Sequence, residues 1–261
     1  MTPKAHRSRT PQAPAPGPRP ERSFTFEEAE RLLLAAEVEG GELIPQGSNY
    51  SFAVQLKAKD LSFHGVYKPA SGERPLWDFP YGTLHRRERC SFIVSRFLGW
   101  GFVPPTVIRD GPHGEGSMQL YVPPADNSSY FTLREEGRAE LPLVAAFDLV
   151  VNNTDRKGGH CFKGQDGRVW VIDHGLTFHP APKLRTVIWD FAGQRLGGEP
   201  LEDLRRLARA LDGAGSPLRR ELGALLDPEE VEVFRRRVRA FVKNPQLPTP
   251  QEYRSVPWPL V

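Results

Sequence analysis

A polar loop, NNTDRKGGH (152–160), runs without a break into CFKGQDGRVWVIDHG (161–175), where two short apolar runs flank Asp166-Gly167. An Asp-Gly pair between apolar runs reads as a hairpin turn, because both central positions of a tight two-residue turn need positive φ. A polar loop and a carboxylate at the end of the strand VWVI can then converge on one point. Asp155 and Asp173 are thus candidates for a shared site although 18 residues separate them.

The chain changes character across this hairpin. Residues 1–22 hold six prolines and nothing a core would use, so they read as a disordered Pro/Arg-rich tail. Thr25 and Glu28 form a T-x-x-E capping box, and Ala29, Leu32, Leu33 and Ala36 give a helical stripe expected to end at Gly40-Gly41. GELIPQGSNYSFAVQL and LSFHGVYKP, around a turn at 58–60, read as two or three antiparallel strands. From Thr83 to Leu98 the period becomes helical, with Ile93, Phe97 and Trp100 at helical spacing alongside Val94 and Leu98 and Gly99 marking the stop. PPTVIRD and SMQLYVPP are two further strands. Beyond Pro124 come helices: LPLVAAFDLVV, then LEDLRRLARAL, a stretch around 217–226, and PEEVEVFRRRVRAFVKN, capped by Asp227 with Pro228 at its first position. The arginines of that last helix are expected on a solvated face. The fold class is α+β, a compact two-lobed arrangement: 23–122 form an antiparallel-sheet N-lobe with a leading helix, and 123–261 a mostly helical C-lobe carrying the loop and hairpin.

Composition narrows the function. The net charge of +3 contains a local +4 from the first 22 residues, which leaves −1 for the rest of the 261-residue chain. No body-wide positive field of the nucleic-acid-binding kind remains. Two cysteines, Cys90 and Cys161, are too few for a disulfide framework and lack metal-ligand spacing, which fits a reducing cytosol. No apolar run reaches the roughly 18 residues of a membrane span, and the first residues lack the apolar stretch of a signal peptide. The expectation is a cytoplasmic, monomeric protein without integral membrane association.

Phosphoryl transfer needs one carboxylate to take or orient the nucleophile's proton and another to hold a divalent cation on the nucleotide phosphates. Asp155 and Asp173 suit those tasks, with His160 a possible further ligand. Lys68, ending GVYK, offers a fixed charge for the phosphates, and Glu88 on the following helix offers to orient it. Because Glu88 sits among Arg86, Arg87 and Arg89, a charged solvent-facing helix explains it almost as well. His64, His85, His113, His174 and His179 share no spacing that suggests zinc.

NNTDRKGGHCF followed by VIDHGLTF resembles the catalytic loop and metal-binding motif of the phosphatidylinositol 3-/4-kinase branch of the protein-kinase-like superfamily, most of all type II phosphatidylinositol 4-kinases. GSNYSF resembles that group's phosphate-binding turn, VYKP its lysine strand, and RRERCSFIVSRFLG the helix whose glutamate pairs with the lysine. The resemblance to a bacterial family of such kinases covers residues 40 to about 195. It implies ATP and Mg²⁺ or Mn²⁺ as cofactors, Asp155 as the catalytic carboxylate with Arg156 in support, and Asp173 as metal ligand. It also implies Lys68 and Glu88 as the phosphate-contacting pair, Ser48 and Asn49 at the phosphates, and a strand with Met118, Leu120 and Val122 whose backbone meets the adenine. His160 stands where the family has an asparagine ligand, and imidazole favours Mn²⁺ over Mg²⁺. The implied function is an ATP-dependent phosphotransferase. A nucleotide-binding pseudokinase or a nucleotidyl transferase on the same fold are the alternatives. The acceptor stays open among a protein, a small metabolite and a lipid head group, since Lys183 and Arg185 are a thin set for gripping a phosphorylated inositol.

Overall fold

The computed structural model describes residues 24–45, 49–250 and 255–260. The chain opens with helix α1 (Phe26–Ala35), held at its start by the reciprocal Thr25–Glu28 capping box. A five-stranded antiparallel sheet follows: β1 (Glu37–Leu43), β2 (Phe52–Ala58), β3 (Leu61–Pro69), β4 (Thr106–Gly111) and β5 (Gly114–Leu120), ordered β1-β2-β3-β5-β4. Between β3 and β4 lies α2 (Leu84–Leu98), which ends at Gly99 in the left-handed region (φ 79°), a conformation that glycine adopts without the Cβ clash of other residues.

Two expectations change here. The helical stripe stops at Ala35, and Gly40-Gly41 lies inside β1, where the register slips between Val38 and Gly40. Pairing with β2 overrides the local glycine signal, and a Cβ at Gly41 would meet Val54 Cγ1 at 2.8 Å. At the other end β5 closes at Leu120, so Val122 lies beyond the strand. The prolines at 123 and 124 have no N–H with which to continue the ladder.

The second lobe contains α3 (Tyr130–Glu135), α4 (Leu141–Val151), the two-stranded hairpin β6 (Cys161–Lys163) and β7 (Val169–Val171), α5 (Gly198–Asp212), α6 (Pro217–Gly223) and α7 (Pro228–Lys243). Two cores result. Leu33, Val54, Leu56, Phe63, Tyr67 and Met118 fill the space between α1 and the sheet. A larger cluster joins α2 to the helices and the hairpin through residues such as Phe92, Phe102, Phe147, Val171 and Phe234. Because α2 contributes to that larger core, it fixes the sheet's position over the hairpin.

Helix α2 is not a solvated helix. Arg87 and Glu88 are 1% and 2% exposed, and Arg87 pairs with the buried Glu230 of α7 while donating to Thr177 O at 2.7 Å. Charged residues reach this depth only with partners, so the RRER run is an inter-lobe seam. On α7, Arg235, Arg236 and Arg239 line an acidic edge made by Asp212 and Glu232. Arg237 departs from the expected solvated face: it donates to Val150 O and His179 O, satisfying carbonyls near the end of α4.

Candidate functional site

Strand β3 alternates, so Tyr67 faces the α1 core and Lys68 the opposite side. The Lys68 ammonium is gripped by the Glu88 carboxylate of α2 and lies 2.9 Å from Asp173 Oδ1. The other oxygen of Glu88 accepts from the His174 backbone N–H at 2.9 Å. One buried carboxylate thus ties β3, α2 and the loop after β7 together. Burial opposes the ammonium's charge, but Asp173 and Glu88 outweigh it and hold the Lys68 pKa above its ordinary value. Conversely, the Lys68 charge holds the Asp173 carboxyl far below the usual carboxylate range, against the effect of burial. Asp173 adopts φ 61°, an uncommon region for a residue with a side chain, though one that aspartate visits more readily than most.

His160, at the end of a single 3₁₀ turn (Gly158–His160), brings Nε2 to 3.2 Å from Asp173 Oδ2. Burial pushes its pKa down to about 4, which keeps the imidazole neutral near pH 7 and leaves a ring lone pair for bonding. Asp155 lies in the same loop, its N–H donating to Asn153 Oδ1 at 3.0 Å and its carboxylate 3.4 Å from Lys157 Nζ. Burial raises the Asp155 pKa, the Lys157 charge pulls it down, and Asp173 raises it again. An ionisable carboxylate beside a lysine and within the field of a second carboxylate is a setting for proton transfer.

Arg156 does not open onto this site. Its guanidinium is fully buried and faces Asp148 of α4, with Nε to Oδ2 at 2.9 Å and Nη2 to Oδ1 at 3.0 Å. It also donates to Ile172 O at 2.6 Å and to His174 Nε2 at 2.7 Å. Since arginine only donates, His174 Nε2 must accept, and burial drives the His174 pKa well down, consistent with a neutral ring. Arg156 therefore braces the 152–160 loop against the loop after β7.

The remaining candidates separate. Ser48 lies outside the described residues, as does the 1–22 tail. Asn49 accepts from the Arg74 N–H at 2.8 Å and is occupied in pinning that segment. Met118 pairs with Tyr67 and Leu120 with Gly65, so both side chains project away from the Lys68 face, and because β5 lies between β3 and β4 their backbone is engaged in the sheet, the Leu120 N–H donating to Pro105 O at 2.8 Å. The Val122 N–H makes no hydrogen bond among the described residues. Sequence reasoning missed Asp148, Asn153 and Lys157, and gave His174 no part. Asp148 carried a usable signal: a lone acid within the apolar run LVAAFDLVV must be buried and therefore paired.

Among the described residues no group of three or more His, Cys, Asp or Glu side chains converges to cage a metal ion. The donors that do meet are one ionised carboxylate, Asp173, and one neutral imidazole, His160. That pair fits a divalent cation whose other ligands come from a nucleotide and water, since Mg²⁺-type ions commonly bind through one or two protein groups plus phosphates.

An antiparallel sheet over a helical lobe, with lysine, glutamate and two loop acids at the junction, defines a protein-kinase-like fold. The chain is similar to the Golgi casein kinase with Mn/ADP bound (TM-score 0.53, 14% identity, 84% of this chain and 74% of that one). It is also similar to hydra Fam20 with sugar (TM-score 0.55, 14% identity, 84% and 87% of the two chains). At the level of sequence it belongs to the family of protein Rv2133c from Mycobacterium tuberculosis, with 37% identity across 91% of this chain and 97% of that protein. No protein-family model matches it. None of its described helices is long and apolar enough to cross a membrane.

Proposed function

We propose that the protein is an ATP-dependent phosphotransferase of the phosphatidylinositol 3-/4-kinase-like type, acting in the cytoplasm. The observation that carries this reading is Lys68 held between the buried Glu88 and the partly exposed Asp173. A cation fixed by two carboxylates from different elements is preorganised to meet phosphate charge without rearranging. The site residues then take distinct tasks. Lys68 binds the phosphates, Glu88 aims it, and Asp155 takes the proton from the acceptor hydroxyl. Of the backbone from Met118 to Val122, the Val122 N–H, which makes no hydrogen bond among the described residues, is the donor left to meet the base. Asp173 and His160 would hold Mg²⁺ or Mn²⁺, which when bound supplies charge neutralisation on the β- and γ-phosphates. Golgi casein kinase, described with Mn and ADP bound, offers a precedent for a divalent metal and a nucleotide together on this fold.

The experiment is a comparison of two isosteric variants by thermal shift with ATP and Mn²⁺ and by phosphate release. Asp173→Asn should weaken metal-dependent nucleotide binding together with turnover. Asp155→Asn should leave binding intact and remove turnover, as for a group acting chiefly in the transition state. Robust turnover in Asp155→Asn would sink the assignment of the loop.

A second reading is favoured by one observation: the side chain facing Asp173 is the imidazole of His160 rather than an oxygen ligand. On that reading the chain is a nucleotide-binding pseudokinase, and wild type binds ATP yet turns over with neither acceptor nor water.

A further inference from the structure

The face of the sheet that carries Lys68 also carries a polar row that no step of phosphoryl transfer uses. Along β3, Tyr67 turns into the α1 core while Val66 and Lys68 share the opposite face. Across the ladder Val66 pairs with Gln119 of β5, and Gln119 in turn with Thr106 of β4, while Lys68 pairs with Ser117 in the next row. Met118, between Ser117 and Gln119, belongs to the α1 core, so its two neighbours lie on the Lys68 face. Gln119 thus sits one row, about 7 Å along the strand, from the lysine assigned to the phosphates. It is also three residues before Val122, whose N–H makes no hydrogen bond among the described residues.

Proton counting fixes the orientation of the Gln119 amide. Thr106 Oγ1 donates to Pro104 O at 2.9 Å, and a hydroxyl has only one proton to give. In its 2.8 Å contact with Gln119 the hydroxyl must therefore accept, with Nε2 as the donor. Turning the amide over would set Oε1 against that oxygen, and either Oε1 or Pro104 O would lose its donor inside the protein. Thr106 is fully buried, so Nε2 is turned to the closed side and Oε1 is left over. Gln119 is 6% exposed, and Oε1 makes no hydrogen bond among the described residues. The side-chain atoms there that are both sealed and unpaired are Glu73 Oε2, Arg87 Nε, Ser95 Oγ and His174 Nδ1, and Gln119 Oε1 is not one of them. It is an oriented acceptor with solvent access on the Lys68 face.

We infer that Gln119 selects the nucleotide base, its Oε1 accepting from the exocyclic amino group of adenine, and that Thr106 positions it for that task. The inference rests on the nucleotide site that both functional readings share. Adenine presents an amino donor beside an unprotonated ring nitrogen, and Gln119 Oε1 with the Val122 N–H offers an acceptor and a donor to match. A 6-oxopurine presents the reverse, an oxygen acceptor beside a protonated ring nitrogen. Each of the two protein groups would then face its own kind, so discrimination comes from a bond made to one base and a desolvated, unpaired group against the other.

The test uses the full chain with Mn²⁺ and two triphosphates, ATP and inosine triphosphate, whose base carries an oxygen where adenine carries its amino group. Dissociation constants are measured by titration calorimetry. Wild type should bind ATP roughly tenfold more tightly than inosine triphosphate, or better. Gln119→Leu removes the acceptor at similar size and should bring the two within about threefold of each other, chiefly by weakening ATP. Thr106→Val is nearly isosteric and frees the amide to turn, so it should narrow the ratio from the other side, by strengthening inosine triphosphate. A merely structural role would weaken both nucleotides in parallel and leave the ratio alone. Should Gln119→Leu fail to fold, Gln119→Met serves the same comparison. Equal affinity of wild type for the two nucleotides, or an undiminished ratio in the Gln119 variant, overturns the role of Gln119 and leaves the nucleotide site standing. An undiminished ratio in Thr106→Val alone overturns the positioning role of Thr106. Binding of neither nucleotide by wild type overturns the nucleotide site itself, and this inference with it.

Discussion

Asp148→Asn removes one charge from a site where no water can replace it. Asp148 and Arg156 are both fully buried, and the aspartate accepts from Arg156 Nε, Arg156 Nη2 and Asn153 Nδ2. The asparagine is nearly isosteric, so packing is preserved, but its amide offers one acceptor and a donor group where three donors converge. The guanidinium cannot shed its proton and is left buried without a counter-charge. Breaking such a pair from one side costs about 3–5 kcal/mol, against about 5–15 kcal/mol of total stability for a domain. At ~2–4 °C per kcal/mol for a chain of this size, the melting temperature should fall by roughly 6–20 °C. Urea unfolding should show the lower midpoint with an unchanged slope, since no surface is gained or lost. The paired replacement Asp148→Leu with Arg156→Met should recover most of the stability, because a buried ion pair is worth little net when both partners leave together. It should not recover turnover, since Ile172 O and His174 lose the donor that registers the two loops. A loss below about 1 kcal/mol in Asp148→Asn would refute the view that this pair is sealed from solvent.

Other expectations follow from the same geometry. His160→Asn should move the metal giving the largest ATP-dependent thermal shift from Mn²⁺ toward Mg²⁺; an unchanged preference would place His160 outside the coordination shell. His160 also binds its proton more weakly folded, near pH 4, than its ordinary value of 6.5, so it contributes full stability above pH 6.5 and loses it as pH falls toward 4. At pH 5.5 that loss is on the order of 1 kcal/mol, so wild type should drop a few degrees further than His160→Asn between pH 7.5 and 5.5 in a melting series. Saturating ATP with Mn²⁺, at about 100 times its dissociation constant, should stabilise wild type by ~2.7 kcal/mol, and equal, negligible shifts for all nucleotides would remove both functional readings. Thr25→Ala should cost ~1 kcal/mol in urea unfolding through loss of the α1 capping box.

Local chemistry was legible wherever it is spoken by neighbours in the chain. The Thr25 box, the Gly99 stop and the Asp227-Pro228 cap were readable because each is closed within four residues, and Asp166-Gly167 marked the hairpin, although its loop is longer than two residues and only Gly167 has positive φ. The same holds for the α+β order, since period-two and period-3.6 patterns report which side of an element is buried. Gly40-Gly41 misled because a strand partner, Val54, decides that backbone from outside.

The site divides along the same line. Sequence by itself picked out the candidates Lys68, Glu88, Asp155, His160 and Asp173 by type, order and flanking pattern, and Lys68, Glu88, His160 and Asp173 meet in the structure. It left Glu88 ambiguous, because whether a charge faces water or a partner is set by elements distant along the chain, such as the His174 amide against Glu88 and Glu230 against Arg87. Only the tertiary structure decided that α2 is a buried seam, that Glu88 holds both Lys68 and the His174 amide, and that Arg156 turns inward to Asp148. Desolvation is the physical reason. A charged side chain costs little on a surface and several kcal/mol inside, so its direction is chosen by the partner that the fold supplies.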